Sequence, residues 1–240
     1  KNPIYSTHTS TVGTVTILES IRNVDKDIKF YQASSSEMYG GLNFSKKKLN
    51  ENSNFDPISP YAIAKLSSYH YTRMYRKSYN IFASNGILFN HESPIRGEQF
   101  VTKKIVKGLV EILNGKKKDP LYLGNIYSRR DWGHAKDYVD AIYKIMNYKI
   151  ADDFVVASDK NYSVKEFINL TAKILGIKIF WSGKGLKEKA VNENGKIIIK
   201  ISKNFFRPLD INNLVGDTYK ARKKLKWKPK NDLKELIKEM

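Results

Sequence analysis

The chain has 240 residues, of which 41% are hydrophobic and 12% aromatic. This composition is that of a globular protein with one large domain or two small ones, and it excludes wholesale disorder. Without a single cysteine, the chain has no disulfides, cysteine-based zinc sites or cysteine nucleophiles. No stretch approaches the roughly 18 uninterrupted apolar residues of a membrane helix, and the first ten residues lack the apolar core of a secretory signal. We therefore expect a cytoplasmic protein with no membrane partner.

The formal net charge of +19 favours either an anionic partner or a lysine-rich, solvated surface. The basic runs at 46–50, 115–119 and 222–230 lie in different parts of the chain. They form no single stripe, and no aromatic-interleaved RNA-binding motif accompanies them. We therefore expect no nucleic-acid partner.

Apolar runs alternate with helical patterns along the chain. The spacing predicts helices over residues 10–23, 60–79, 100–114, 134–148, 163–175, 218–225 and 232–240. It predicts strands at 28–33, 81–89, 121–123, 154–157, 177–181 and 197–201, and surface loops at 45–56 and 182–196. Ser59 and Pro60 are typical of a helix start, and Ser163 with Glu166 of a capping box. Strands that alternate with helices predict an α/β fold with a parallel sheet.

Two short motifs carry the candidate chemistry, SSSEMYG at 34–40 after a predicted strand and SPYAIAK at 59–65 at a helix start. Tyr61 and Lys65 are four residues apart and share a helix face, where an ammonium group favours the phenolate that a general base requires. The first motif places hydroxyls and a carboxylate at the end of a strand, where open α/β sheets bind ligands. Each motif alone is common by chance, because many helices carry such a pair on the surface.

Together the two motifs resemble the Ser–Tyr–Lys arrangement of short-chain dehydrogenases and reductases. The strings FYQASSSEMYG, NGILFNHESPIRGEQFVTKKI and LGNIYSRRDWGHAKDYVDA make the chain similar to the GDP-mannose 4,6-dehydratase family. The resemblance covers nearly the whole chain and is weakest over residues 182–200. Ser36-Glu37 matches the pattern of this family, whereas related 4-epimerases usually lack the acid and dTDP-glucose dehydratases usually carry Asp-Glu.

The resemblance implies a lyase that converts GDP-mannose to GDP-4-dehydro-6-deoxy-mannose and water through bound NADP, the first step of GDP-fucose and other deoxyhexose synthesis. It implies that Tyr61 removes the proton of the sugar 4-hydroxyl and that Lys65 assists Tyr61 and holds the nicotinamide ribose. Glu37 would take the proton from carbon 5. Ser35 would polarise the 4-oxygen from a position where the family usually has threonine.

The same resemblance implies further binding residues. Cofactor contacts are implied for Tyr5, Tyr61, Lys65, His91 and Arg96. Contacts to GDP-mannose are implied for Ser35, Glu37, Asn90, Val101, Lys104, Arg130 and Arg207. Without the resemblance, plainer interpretations stay open: a structural histidine for His91, a turn residue for Asn90, a core residue for Val101, and solvated charges for Lys104 and Arg130. Trp132 and His134 are predicted to be structural.

Members of the family open with a strand, a glycine-rich turn and a helix, and these 240 residues contain no such pattern. We expect the N-terminal nucleotide-binding segment to be missing, so that the chain folds poorly alone and binds NADP weakly. Residues 1–97 are expected to be the remaining part of a doubly wound, Rossmann-like NADP-binding domain. Residues 98–240 are expected to be mainly a smaller mixed α/β lobe for the GDP-sugar, with a return to the first domain around 134–157.

A homodimer or homotetramer is expected from the resemblance. The helix that carries Tyr61 would supply a face of Tyr69, Tyr71, Met74 and Tyr75 to the interface, unless these side chains pack inward.

Three other functions stay open. A sugar-nucleotide epimerase or reductase of the same superfamily would not need the carboxylate of Glu37. A cofactor-free remnant would explain the missing glycine-rich turn but not the retained Ser35, Glu37, Tyr61 and Lys65. A basic nucleic-acid-binding protein would rest on charge alone.

Overall fold

The computed structural model describes residues 2–40, 48–206, 211 and 213–240. The helices in chain order are α1 (Pro3–Ser6), α2 (Gly13–Val24), α3 (Pro60–Tyr79), α4 (Val101–Leu113), α5 (Ala135–Met146), α6 (Val164–Ile174), α7 (Tyr219–Leu225) and α8 (Leu233–Glu239). The strands are β1 (Phe30–Ser35), β2 (Ala83–Leu88), β3 (Asn90–Glu92), β4 (Leu121–Leu123), β5 (Arg129–Arg130), β6 (Trp132–His134), β7 (Asp153–Val156), β8 (Tyr162–Ser163), β9 (Ile179–Ser182), β10 (Lys189–Asn192) and β11 (Ile197–Ile201). Within the described ranges, no helix has the length and apolar character needed to cross a membrane.

The described residues divide into two compact units. Unit 1 takes its residues from Lys1–His91, Asp131–Lys160 and Leu214–Lys230. Unit 2 takes its residues from Glu92–Arg130, Asn161–Asn213 and Asn231–Met240.

Unit 1 is built on a parallel sheet in the order β1–β2–β7. Alternate side chains of β2 point to opposite faces of the sheet, and both faces are buried. One face packs on α2 and α3 through Leu18, Ile21, Phe30, Tyr75, Ile81 and Ala83. The other packs on α5 and α7 through Leu88, Tyr138, Ala141, Ile145, Phe154, Val156, Ala221, Leu225 and Trp227. The predicted α/β class with a parallel sheet is confirmed.

Helix α3 begins and ends where the sequence predicted. The Ser59 hydroxyl accepts a hydrogen bond from the Ala62 N–H at 3.1 Å, and Pro60 takes the first helical position, where its missing N–H costs nothing. At the other end Asn80 adopts a left-handed conformation with φ of 55°, which stops the helix. The prediction of a shared interface face was wrong for two residues, because Tyr69 and Tyr75 are only 1% and 4% exposed.

Unit 2 contains a mixed sheet in the order β4–β11–β10–β9. Strands β4 and β11 are parallel, and the remaining pairs are antiparallel. Helix α6 starts with the predicted capping box, in which the Ser163 hydroxyl accepts from the Glu166 N–H at 3.0 Å and the Glu166 carboxylate accepts from the Ser163 N–H.

The prediction of a surface loop over 182–196 was wrong. Strand β10 lies between β9 and β11, and a turn in which Gly195 has φ of 74° connects it to β11. Only Ala190 of this strand is fully buried, so the strand shows almost no hydrophobic alternation. Because β10 contains a lysine and is flanked by glycines, the sequence pattern does not predict a strand here.

Asp131 is a buried carboxylate that ties together two loops of unit 1. It accepts hydrogen bonds from the backbone N–H of Ser158 at 2.7 Å and of Gly216 at 3.2 Å. Burial raises the pKa of Asp131 from 3.8 to about 6, although these hydrogen bonds oppose the shift.

The pH dependence of stability should reveal this shift. Because the folded pKa lies above the unfolded one, the folded state binds the proton more tightly, and the resulting stability is complete below the unfolded pKa of 3.8. This stabilisation, which is about 3 kcal/mol at most, is lost as the pH rises through about 6. Urea unfolding of the wild type and of Asp131→Asn at about pH 4, 5, 6 and 7 measures it. The wild type should lose stability relative to the variant across this window. An unchanged difference would show that Asp131 does not titrate there.

Candidate active site

The first motif forms a tight turn at the end of β1. Ser35 is the last residue of the strand, and its Oγ accepts a hydrogen bond from the Glu37 N–H at 3.2 Å. This bond caps a single 3₁₀ turn over Ser36–Tyr39, which Tyr39 anchors by donating to the Asn50 carbonyl at 2.8 Å. The side chains of Ser35 and Glu37 are half-buried. The turn therefore presents a hydroxyl and a carboxylate at the carboxyl end of the strand.

Gly40 closes this turn in a conformation that other residues avoid. Its φ of 49° and ψ of −126° lie outside the regions open to L side chains. A Cβ atom at this position would lie 1.7 Å from the Asp56 carbonyl oxygen, which is fixed because the Asp56 N–H donates to the Met38 carbonyl. The backbone around the turn is packed too closely to admit a side chain.

Gly40→Ala should lower the free energy of unfolding by about 3 kcal/mol, through backbone strain and the clash. Gly115→Ala is the matched control, because Gly115 has φ of 69° but nothing within 4 Å of its Cβ position. Its cost should be only about 1 kcal/mol. Urea unfolding of both variants measures the difference, and equal costs would contradict the close packing at Gly40.

The second motif lies at the start of α3. The Lys65 Nζ donates to the Ala33 carbonyl oxygen at 2.8 Å and lies 5.8 Å from the centroid of the Tyr61 ring. Burial lowers the pKa of Lys65. Ala33 precedes Ser35 by two residues on β1, so this bond brings the Tyr–Lys pair to the strand end that carries the first motif.

Asn90 and His91 lie at the same edge of the sheet. Leu88, the last residue of β2, pairs with Ser35, and Asn90 follows it by two residues. The His91 Nδ1 lies 2.9 Å from the Phe89 carbonyl oxygen. Its ring is 4.9 Å from the ring of Tyr138, whose hydroxyl donates to the Asn90 carbonyl at 3.4 Å. Unit 1 thus gathers both motifs, Asn90 and His91 at the carboxyl ends of adjacent strands.

The remaining candidates of unit 1 lie elsewhere. Tyr5 is on α1 and is 68% exposed. Trp132 and His134 are buried.

In unit 2, Arg96 is held between an acid and an aromatic ring. Its Nε lies 3.0 Å from the Glu92 carboxylate, although not in a well-directed hydrogen bond, and its guanidinium carbon lies 3.5 Å from the centroid of the Phe100 ring. Glu92 is buried and also accepts from the Thr102 hydroxyl at 2.7 Å. Burial raises the pKa of Glu92, while Thr102 and Arg96 oppose the shift.

Two other candidates of unit 2, Lys104 and Arg130, contact backbone oxygens. Val101 begins α4 and is half-buried. Lys104 donates to the Tyr122 carbonyl at 2.8 Å and lies 3.6 Å from the centroid of the Phe205 ring, and its pKa is lowered by burial and by neighbouring Lys117. Arg130 donates to the carbonyls of Ile211 at 2.5 Å and of Arg129 at 2.9 Å. Arg207 lies outside the described residues.

Sequence reasoning missed two carboxylates at β7, the half-buried Glu51 and the buried Asp153. Glu51 accepts from the Val155 N–H on the outer strand β7 at 2.7 Å, and burial raises its pKa. Asp153 bonds to side chains of β2 and α3. The only available signals were Asp152-Asp153 before an apolar strand and Arg73 and Arg76 three residues apart on a predicted helix.

A family model described as "GDP-mannose 4,6 dehydratase" matches residues 1–240. The chain belongs to this family. A Caenorhabditis elegans relative, GDP-mannose 4,6 dehydratase 2, is 42% identical over 240 residues, which are 99% of this chain and 62% of that protein. The Vibrio cholerae GDP-mannose 4,6-dehydratase is 44% identical over 253 residues, covering 100% of this chain and 67% of its own length. The Homo sapiens enzyme is 41% identical and is 63% covered. The chain thus spans only about 62% of the nematode relative.

Solved structures show the fold of this GDP-mannose 4,6-dehydratase family member. RMD from Pseudomonas aeruginosa complexed with NADPH superposes with a TM-score of 0.83 at 18% identity, over 99% of this chain and 73% of that one. A dTDP-glucose 4,6-dehydratase from Bacillus anthracis in complex with NAD gives a TM-score of 0.78 at 21% identity, over 96% of this chain and 67% of that one. The predicted Rossmann-like fold is confirmed.

Proposed function

We propose that the protein is a lyase that dehydrates GDP-mannose to GDP-4-dehydro-6-deoxy-mannose. The observation that carries the proposal is the bond from Lys65 to the Ala33 carbonyl. It places the Tyr61–Lys65 pair at the strand end where Ser35 and Glu37 lie, in a chain of this family. A phenol with a neighbouring cation, a hydroxyl and a carboxylate are the groups that an internal redox dehydration requires.

The groups at this edge suit NADP. Tyr61, Lys65 and His91 bring a hydroxyl, an ammonium and an imidazole to the carboxyl ends of parallel strands, where such folds bind nucleotides. These three side chains would hold the cofactor, with further contacts proposed for Tyr5 and Arg96. NADP supplies the acceptance and return of a hydride when it is bound.

Tyr61 and Ser35 act on the sugar 4-hydroxyl in this proposal. Tyr61 takes its proton, and the ammonium group of Lys65 favours the phenolate form. Lys65 is partly desolvated, so that its charge acts more strongly on its neighbour than it would in water. The Ser35 Oγ accepts from the Glu37 N–H, which leaves its own proton available to the 4-oxygen of the sugar.

Glu37 acts on carbon 5. A ketone at carbon 4 makes the hydrogen on carbon 5 acidic, and the carboxylate removes it as a proton. That proton would pass to the 6-hydroxyl, which leaves as water while a double bond forms between carbons 5 and 6. A solvent proton at carbon 5 and the returned hydride at carbon 6 would then complete the product. The 3₁₀ turn holds Glu37 two residues from Ser35, so that one rigid segment serves neighbouring atoms of the sugar.

The nucleotide part of GDP-mannose needs cations and polar contacts. We propose Asn90 and Val101 as contacts and Lys104, Arg130 and Arg207 as the groups for the diphosphate. Lys104 bonds to a neutral carbonyl oxygen here, and a phosphate is a stronger acceptor for its ammonium group.

A cytoplasmic homodimer or homotetramer is also proposed. The support for an oligomer is that the first three helices of unit 1 all expose large apolar side chains, namely Ile4, Ile17, Val24, Tyr71 and Met74. Light scattering of the purified protein gives the oligomer mass, and a monomer at all concentrations would contradict the proposal.

The test is turnover of GDP-mannose in the presence of NADP, followed by mass spectrometry. It is run on this chain and on the chain completed with the part of the Vibrio cholerae relative that it does not match. The expected product is lighter than the substrate by one water and carries a ketone. A product of unchanged mass with inverted configuration at carbon 4 would favour an epimerase instead.

A further inference from the structure

A buried polar cluster joins α3 to the parallel sheet of unit 1. It consists of Ser34 on β1, Asn85 on β2, Asp153 on β7 and Tyr69 on α3, and all four side chains are buried. A buried carboxylate is costly unless it is fully paired, so this arrangement has to be specific.

Asp153 is the centre of the cluster. One carboxylate oxygen accepts from the Asn85 Nδ2 at 2.8 Å and from the Arg76 Nη1 at 2.9 Å. The other accepts from the Arg76 Nη2 at 3.0 Å and from the Tyr69 hydroxyl at 3.2 Å. Arg76 therefore engages the carboxylate bidentately, which fixes orientation as well as distance.

Asn85 connects Asp153 to the first motif through two hydrogen bonds. Because its Nδ2 donates to Asp153, its Oδ1 is left to accept from the Ser34 hydroxyl at 3.1 Å. Ser34 directly precedes Ser35, and the two side chains point to opposite faces of the strand. The cluster therefore fixes the end of β1 from the face opposite to the one that presents the Ser35 hydroxyl.

Tyr69 connects Asp153 to α3, the helix that carries the second motif. It lies four residues after Lys65 on α3, so the two side chains are neighbours on one helix face. Burial and the nearby Asp153 carboxylate raise the pKa of Tyr69, which keeps the phenol protonated as a donor. The rotation of α3 about its axis is therefore fixed against the sheet close to Lys65 and Tyr61.

We propose that Asp153 is a positioning residue for the reaction: through Tyr69 and Arg76 it sets the helix that carries Tyr61 and Lys65, and through Asn85 it sets the strand end that carries Ser35. This inference rests on the proposed function. Asp153 touches none of the reacting groups, so its effect passes through the geometry of the two motifs.

Two tyrosines on the same helix separate positioning from plain stability. Tyr69→Phe removes the hydroxyl that bonds to Asp153, whereas Tyr75→Phe removes a buried hydroxyl that bonds to Glu19 on α2. Each variant keeps its ring. Tyr69→Phe loses the bond to Asp153 and a longer one that it accepts from the Arg73 Nη1 at 3.4 Å, and Tyr75→Phe loses the bond to Glu19, so both should lose some thermal stability. Tyr69→Phe should lower kcat for dehydration about 10-fold with little change in KM, and Tyr75→Phe should leave kcat unchanged.

A second measurement does not depend on turnover. The ¹³Cε and ¹⁵Nζ resonances of Lys65, whose ammonium donates to Ala33, are recorded in the labelled chain. Their chemical shifts should change in Tyr69→Phe and remain those of the wild type in Tyr75→Phe. If the wild type dehydrates nothing, the proposed function fails, but these resonances still decide the positioning. Resonances and kcat that respond equally to both variants, or to neither, would overturn the inference.

Discussion

Glu37→Gln is expected to lower kcat for dehydration of GDP-mannose by about 10³-fold, with little change in KM. Glutamine keeps the shape of the side chain and its place in the 3₁₀ turn but cannot accept the proton from carbon 5. The Ser35 hydroxyl still accepts the backbone N–H of residue 37, so the turn should survive the change. Steady-state kinetics measured by mass spectrometry of the product give both constants.

Glu98→Gln is the matched control for this substitution. Glu98 is an exposed carboxylate of unit 2 that pairs with Lys107, and it should be replaceable without loss of kcat. A Glu37→Gln variant with more than about a tenth of the wild-type kcat would show that Glu37 is not the base that acts on carbon 5.

Tyr61→Phe is expected to lower kcat by a similar factor of about 10³ while the protein stays folded. The variant lacks the phenol that is proposed to take the proton of the 4-hydroxyl with the help of Lys65. Tyr71→Phe is the control on the same helix, because Tyr71 is 38% exposed and has no proposed role in the reaction. Equal activity of the two variants would contradict the assignment of the base.

The two substitutions should differ in one respect. In the proposed mechanism, Glu37→Gln removes the base that takes the hydrogen from carbon 5, whereas Tyr61→Phe is expected to stop the reaction before that hydrogen becomes acidic. Restoring the phenol alone should not rescue a Glu37→Gln, Tyr61→Phe double variant. The two losses are therefore expected to be far from additive.

Local signals explain what the sequence predicted well. Ser59 and Pro60 marked the start of α3, and Ser163 with Glu166 marked the start of α6, because a helix terminus needs side-chain partners within three residues. The hydroxyl–carboxylate motif at the end of β1 was predicted in the same way, from a strand followed by polar residues.

Features that depend on distant contacts were not predictable. Strand β10 has a single fully buried residue, so pairing rather than hydrophobicity defines it. Asp131 and Asp153 look like surface charges in the sequence, and only the fold shows that they are buried and paired. Tyr69 and Tyr75 were expected at a possible interface because periodicity does not tell which side of a helix meets the sheet.

The roles of the individual site residues remain predictions. Ser35, Lys65, Asn90 and His91 gather at one edge of the sheet in unit 1, which the proposal requires. Lys104 and Arg130 belong to unit 2.

The most direct test of the account is the reaction of GDP-mannose in heavy water. If Glu37 removes the carbon-5 hydrogen and a proton from solvent replaces it, the product is lighter by one water and carries one deuterium at carbon 5. The Glu37→Gln variant should incorporate none. A dehydrated product that keeps its original hydrogen at carbon 5, or a recovered sugar nucleotide changed only at carbon 4, would contradict the dehydratase mechanism proposed for this chain.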